Sequence, residues 1–366
     1  METTTKKRSW MRWLVPGFIF QSVVIGGGYG TGAEIKEYFL TQGFMGGMLG
    51  MLVTLAIWSV LCAVTFEFAR MFKTFDYKSL MTQLIGRAGV LYEVCYIVLL
   101  LIVLGVVNAT AGSMVSSLVG VSKWWGIALL SVGIVLLVIK GTAAIENVLS
   151  FWSYVLYAVY ILFMVICINR FGSTIQAQWN LHEIEPGWAL NGAKYAFYNL
   201  GIVPALLYTV RDCENRKEAV VEGLLSGAIG IIPAGFLLVT LAGCVPGTLT
   251  AEVPVTVIFD QLHMGWLYWA FEIVLFGTLI ETGTGFIKAV DDRIEISIAH
   301  RGKKVNAWVR PAVALVSVVV GICVSTFGLT GLIAKGYGTI CWGFLVVFVA
   351  PMMTMGIYKI AKGKKQ

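Results

Sequence analysis

Gly26 Gly27 Gly28 Tyr29 Gly30 Thr31 Gly32 cuts the first long apolar stretch of the chain, Trp13 to Leu40, in its middle. A run with five glycines in seven residues should not stay helical, since each glycine costs roughly 1 kcal/mol against alanine in a helix interior. In a bilayer, unwound backbone survives only where it lines a cavity or is covered by protein. A second interruption lies in the other half of the chain, at Tyr198 to Pro204. There Pro204 has no N–H and its ring clashes with the carbonyl of Leu200, while Gly201 weakens the turn between them. Paired interrupted helices at membrane depth mark the binding sites of secondary transporters.

The surrounding sequence has the composition that such a reading needs. Of 366 residues, 58% are hydrophobic and 13% charged, and the mean hydropathy is +0.82. That leaves too little polar surface to cover a water-soluble globule, so the chain is an all-α integral membrane protein. Apolar runs long enough to cross a bilayer fall at about 13–40, 43–70, 88–119, 124–140, 144–169, 188–209, 219–245, 265–288, 309–327 and 329–357. No long soluble segment separates them, which predicts one transmembrane domain over 1–366. Ten spans divide into two sets of five, about 13–170 and 188–357. Five is odd, so the halves insert upside down relative to each other as an inverted repeat. Spans one and six are then equivalent, and these carry the two breaks. In the long outer loop 246–264, the apolar residues of Ala251 to Leu262 predict a short re-entrant or interfacial helix.

Charge sets the orientation. With the amino terminus inside, the inner segments hold 22 of the 27 Lys and Arg, leaving Lys36, Lys123, Arg170, Lys194 and Lys335 outside. The positive-inside rule therefore predicts both termini in the cytoplasm. The net charge of +7 follows from that topology and requires no nucleic acid. Lys6 to Arg12, followed by apolar and small residues up to Ala33, also resembles a secretory signal; the matching break in span six argues for a span instead. Seven single cysteines without a CxxC pair, and His182, His263 and His300 in loops, provide no metal spacing. No Walker A motif and no clustered nucleophile and base are present, which argues against ATP drive and against an enzyme.

At the first break, unsatisfied N–H groups after the glycines attract a carboxylate, and free carbonyls near Ile25 and Gly26 suit a cation such as sodium. At the second, Phe197 and Tyr198 offer aromatic walls, with Asn199 and the Gly201 backbone as polar contacts. The alternative for the glycines is a packing seam, because Gly26 with Gly30 and Gly28 with Gly32 each make GxxxG. Ionisable residues inside spans are costly and informative. Glu281 lies beside Thr282 and Thr284 in span eight, either as a proton or cation site or as a charge satisfied by Lys288. Glu34, Lys36, Lys194 and Lys335 either form an outer gate or snorkel to the interface. Glu67 with Arg70 reads as a local ion pair. Asn108 in span three is near the midplane and faces either the cavity or a neighbouring helix.

The breaks and the span-eight threonines together resemble the LeuT-type five-plus-five inverted-repeat fold. Phe20 to Phe39, FQSVVIGGGYGTGAEIKEYF, is similar to the first helix of the YkvI-like bacterial membrane proteins, grouped with the amino acid-polyamine-organocation superfamily. The resemblance implies that Gly26, Gly27, Gly28, Tyr29, Gly30, Thr31 and Gly32, with Phe197 to Gly201, line a substrate site whose first break receives a substrate carboxylate. It implies a sodium site from the carbonyls of Gly26 and Tyr29 with Thr282 and Thr284; Glu281 beside them leaves sodium or proton coupling open. Lys140 Gly141 to Ile145 Glu146 resembles an inner-gate region. The resulting expectation is an ion-coupled secondary transporter of a small zwitterion or carboxylate, an amino acid or related amine, with no cofactor, with a small-molecule substrate and the lipid bilayer as partners and with protein partners left open. The alternatives are a non-transporting membrane receptor and a divalent-metal transporter on the same fold; the latter is disfavoured because neither break carries acidic, methionine or histidine ligands.

Overall fold

A computed structural model describes residues 10–140, 142–299 and 308–363. The tail residues Lys6, Lys7, Arg8, Lys364 and Lys365 and the loop with His300, Arg301, Lys303 and Lys304 lie outside that range, as do Gly141 and the side chains of Lys140, Ile145, Glu146 and Arg310. The described residues form helices without a strand. This is the arrangement that keeps every backbone polar group paired away from water.

Six helices are long and apolar enough to cross a bilayer unaided, and two shorter ones, Lys123–Ile139 and Pro311–Ser325, complete eight continuous spans. The other two spans are the broken ones. Span one runs as Val15–Val24, then Gly27–Gly30, then Ala33–Tyr38, and span six as Trp188–Leu200 followed by a tight 3-10 stretch, Val203–Val210. The chain thus folds as ten spans in a five-plus-five inverted repeat with the first and sixth interrupted.

Local chemistry sets the ends of the other spans. Span two, Phe44–Phe72, starts after Gly43 at φ 77°, and span three, Gly89–Val119, stops at Gly120 in the left-handed region, where a glycine terminates a helix cheaply. Span seven, Arg216–Ala242, opens on a reciprocal cap: Asn215 accepts from the Glu218 N–H at 3.0 Å and donates its amide back to the Glu218 carboxylate at 3.0 Å. Two helices outrun the expected boundaries. Span five is part of Thr142–Asn180, because Phe171 and Ile175 pack against Gly243 and give the polar stretch after residue 169 a surface to follow. Span eight is part of Gly265–Ala299, continuing well past Lys288. On that inner extension the guanidinium of Arg293 lies between the rings of Tyr77 and Tyr96, 4.0 and 3.7 Å from their centroids. The expected outer-loop helix is present as Pro254–Leu262.

The equivalent spans two and seven cross at the centre of the bundle with almost no space between backbones. A Cβ at Gly223 would fall 2.3 Å from the Ala63 nitrogen, and one at Gly227 would fall 2.4 Å from the Ser59 nitrogen. Gly223 and Gly227 of span seven thus form a GxxxG seam against span two, whereas Gly27, Gly28 and Gly30 of span one face the side chains of Leu279, Glu34 and Leu275. Span two also grips the outer half of span six, with Thr54 donating to the Gly192 carbonyl at 2.8 Å and Trp58 to the Ala196 carbonyl at 3.1 Å. Outward-facing Leu52, Leu129, Leu136 and Val316, with Trp124, Trp125, Trp266 and Trp308 near span ends, give the bundle a lipid-facing surface and interfacial aromatics.

Candidate functional site

The backbone of span one leaves the helix at Ile25 and Gly26, where Gly26 is extended at φ −108°, ψ −166°. It resumes for one turn and is interrupted again at Gly32, whose φ of 79° is cheap only for glycine. The single half-helix expected after the glycines is therefore two short pieces. Thr31 ties them together, its hydroxyl donating to the Gly27 and Gly28 carbonyls at 2.9 and 3.1 Å. The Val255 N–H donates to the Thr31 carbonyl and the Lys36 ammonium to the Ala251 carbonyl, so the loop between spans seven and eight holds this half of span one in place.

Between the breaks lies a small cavity lined by Gly26 and Gly27 of span one, Leu99 and Val103 of span three, Tyr198, Asn199 and Ile202 of span six, Thr282 and Phe286 of span eight, and Tyr337 of span ten. Its free space is about 20 Å³, room for a water or two. The rings of Tyr198 and Tyr337 stack at 4.5 Å and 7°, and Tyr38 and Tyr195 pack beside them. Tyr337 reaches the site from a π-helical segment, Leu332–Tyr337, a distortion that often accompanies function.

Glu34 is the one charged side chain in this lining, and it is 3% exposed. It folds back over Gly28, where an added Cβ would meet its Oε1 at 2.4 Å, and accepts a hydrogen bond from the Tyr198 hydroxyl. The residue expected at an outer gate thus sits at the break. Lys36 is buried against the outer loop, Lys194 is half-buried near Cys341, and Lys335 is exposed.

Other expected residues are dispersed. Gly30 packs against Leu275 and the Tyr160 hydroxyl, and the Tyr29 hydroxyl is buried without a partner. Asn108 turns to its own helix, donating to the Leu104 carbonyl at 2.7 Å. Phe197 is half-buried outside the lining, and Gly201 sits under the Phe344 ring with its carbonyl accepting from Tyr92 at 2.8 Å. Thr282 faces the break, its hydroxyl 3.5 Å from the Ile25 carbonyl. The Gly26 and Tyr29 carbonyls already accept from Gly30 and Gly32. Thr284 is two residues on, about 200° around the helix, buried with its hydroxyl unpartnered. Glu281 is buried within electrostatic reach of Tyr157, whose hydroxyl bonds Gln21 of span one.

Sequence reading passed over Tyr337, Phe286 and Glu272. The last is a carboxylate in span eight, 2% exposed, with both oxygens lacking a partner among the described residues. Its signal, an acidic residue inside an apolar run, was present in the sequence. A larger fissure of about 230 Å³ between spans one, five and seven is almost wholly apolar, lined by Phe18, Ile161, Ile232 and Phe236, and opens toward the lipid. The polar lining, with Glu34, Asn199 and Thr282, belongs to the smaller cavity.

Solved structures share this architecture. A Na+-coupled sialic acid symporter in a substrate-bound, outward-open state aligns with a TM-score of 0.67 at 12% identity, over 92% of this chain and 78% of that one. MHP1, a nucleobase-cation-symport-1 family transporter closed around bromovinylhydantoin, aligns at 0.63 and 13% identity, over 97% and 79%. MhsT in complex with L-phenylalanine aligns at 0.59 and 15% identity, over 98% of each chain. The fold is that of the LeuT-type transporters. In sequence the chain is similar to the uncharacterized membrane protein YkvI of Bacillus subtilis (strain 168), 23% identical over 297 residues, covering 79% of this chain and 83% of that protein. No protein-family model matches.

Proposed function

We propose that the protein is an ion-coupled secondary transporter that carries a small amine-bearing solute, of the amino-acid or related amine class, through the cavity between the two breaks. The observation that supports this most is the cavity itself. It lies at the junction of the two interrupted spans and holds one carboxylate among aromatic side chains, with Tyr38 and Tyr195 packed against Tyr198 of its lining. The inner halves of spans one and six are the elements that would move for alternating access. They meet through the exposed ion pair Arg12–Asp212, which is weak enough to open in each cycle.

The Ile25 carbonyl and Thr282 hydroxyl contribute two oxygens to an ion site on the inner side of the break, and Glu281 with Tyr157 and Gln21 extends a polar path from it. The protein would work in a bacterial cytoplasmic membrane with both termini inside. A divalent metal as cargo is the weaker reading, since the lining has one carboxylate and no methionine or histidine.

Uptake of labelled amino acids and amines into proteoliposomes, under imposed sodium or proton gradients, tests the proposal. Accumulation that follows one gradient and disappears when it is collapsed is expected. Binding without flux would point to a receptor.

A further inference from the structure

The span-one break was expected to receive a carboxylate from the solute, but a carboxylate of the chain is already there. Glu34 accepts from the Tyr198 hydroxyl of span six and lies directly over Gly28, whose missing side chain leaves room for it. We propose that Glu34 is the built-in carboxylate of this site and that the solute carried is an organic cation, a small amine that needs no carboxylate of its own. This rests on reading the cavity as the transport site.

Electrostatics support it. A solute carboxylate would enter beside Glu34 with no Lys, Arg or His in the lining to offset the second negative charge, and like charges at close range in a poorly solvated cavity repel strongly. Lys36, two residues along, is committed to the Ala251 carbonyl at 2.7 Å and does not neutralise the site. An ammonium group, by contrast, gains a charge-assisted bond to Glu34. The aromatic rings of Tyr198, Tyr337 and Phe286 in the lining then favour a cation over a neutral isostere. The side-chain carbonyl of Asn199, whose amide nitrogen donates to the Tyr195 carbonyl, leaves a polar contact for a hydroxyl or amide on the rest of the solute.

The test uses sets of compounds differing only in their charged groups: isobutylamine, valine and isovalerate, and phenethylamine, phenylalanine and 3-phenylpropionate. Each is titrated against the purified full-length protein by thermal shift and calorimetry, then assayed for uptake in proteoliposomes. The amines are expected to bind at least tenfold more tightly than the matching amino acids, and the acids not at all. Glu34→Gln should weaken amine binding about 30-fold or more, the scale of losing one partner of a desolvated charge pair. Glu34→Asp, which keeps the charge, should retain part of it.

Amino acids or acids binding as tightly as the amines would overturn the proposal, and so would a panel in which no amine binds. The wild-type comparison needs no variant to fold. Amine binding that depends on Glu34 but produces no gradient-driven uptake would instead overturn the transport reading and leave the role of Glu34 standing.

Discussion

At the scale of single residues, the decisive relation is between Gly28 and Glu34. A methyl group at Gly28 would sit 2.4 Å from Oε1 and 2.9 Å from Cγ of Glu34, so Gly28→Ala must push the carboxylate out of its place. The variant is expected to keep its monodisperse elution and to lose about tenfold in amine affinity by thermal shift; unchanged affinity would mean that Glu34 is not held where the site needs it. The unwinding at Gly26 to Gly32 was legible because glycine density has a direct energetic meaning. The position of Glu34 was not. Placing a side chain by helical periodicity assumes an unbroken helix, and the left-handed turn at Gly32 removes that assumption between Gly28 and Glu34. Thr282 and Thr284 show the converse: span eight stays helical, and its 100° per residue separates the two hydroxyls that the fold resemblance had grouped. Thr282→Ala is expected to raise the ion concentration for half-maximal uptake about tenfold, the scale of one lost oxygen contact. An unchanged ion dependence would remove Thr282 from the ion site.

At the scale of elements, spans two and seven supply the rigid frame against which spans one and six could move. Gly223 and Gly227 allow the two backbones to touch, and any larger side chain there must separate them. Gly227→Leu is expected to destabilise by roughly 1–3 kcal/mol or more, as overpacking does in a tight core. It should read out as loss of monodisperse protein in detergent. Gly235→Ala on the same span, whose added methyl would meet only the Met51 sulfur at 3.9 Å, should be tolerated. Comparable loss in both variants would contradict the seam. Sequence alone offered a GxxxG seam in span one as the alternative to a binding break and passed over Gly223 with Gly227, which do pack backbone to backbone. GxxxG spacing says that a close approach is possible, while the partner's contour decides where it occurs. The π-helical turn that brings Tyr337 into the cavity was equally hidden, since no residue in Leu332–Tyr337 announces a wider hydrogen-bonding register.

At the scale of the whole molecule, hydropathy, charge asymmetry and the parity of two five-span halves were sufficient to reach the architecture, because in a bilayer each is a strong physical constraint. The spans overshoot those boundaries most in Thr142–Asn180 and Gly265–Ala299, and by six residues at the end of Leu329–Gly363, where the sequence turns polar and hydropathy has no hold. What the cavity carries was less accessible, since it depends on five spans converging around one acidic side chain. The most direct measurement is uptake of labelled isobutylamine or phenethylamine into proteoliposomes under an imposed sodium or proton gradient, comparing wild type with Glu34→Gln. The account predicts gradient-dependent accumulation in wild type that stops when the gradient is collapsed and is lost in Glu34→Gln. Uptake that ignores both gradients, or that persists undiminished in Glu34→Gln, would contradict it.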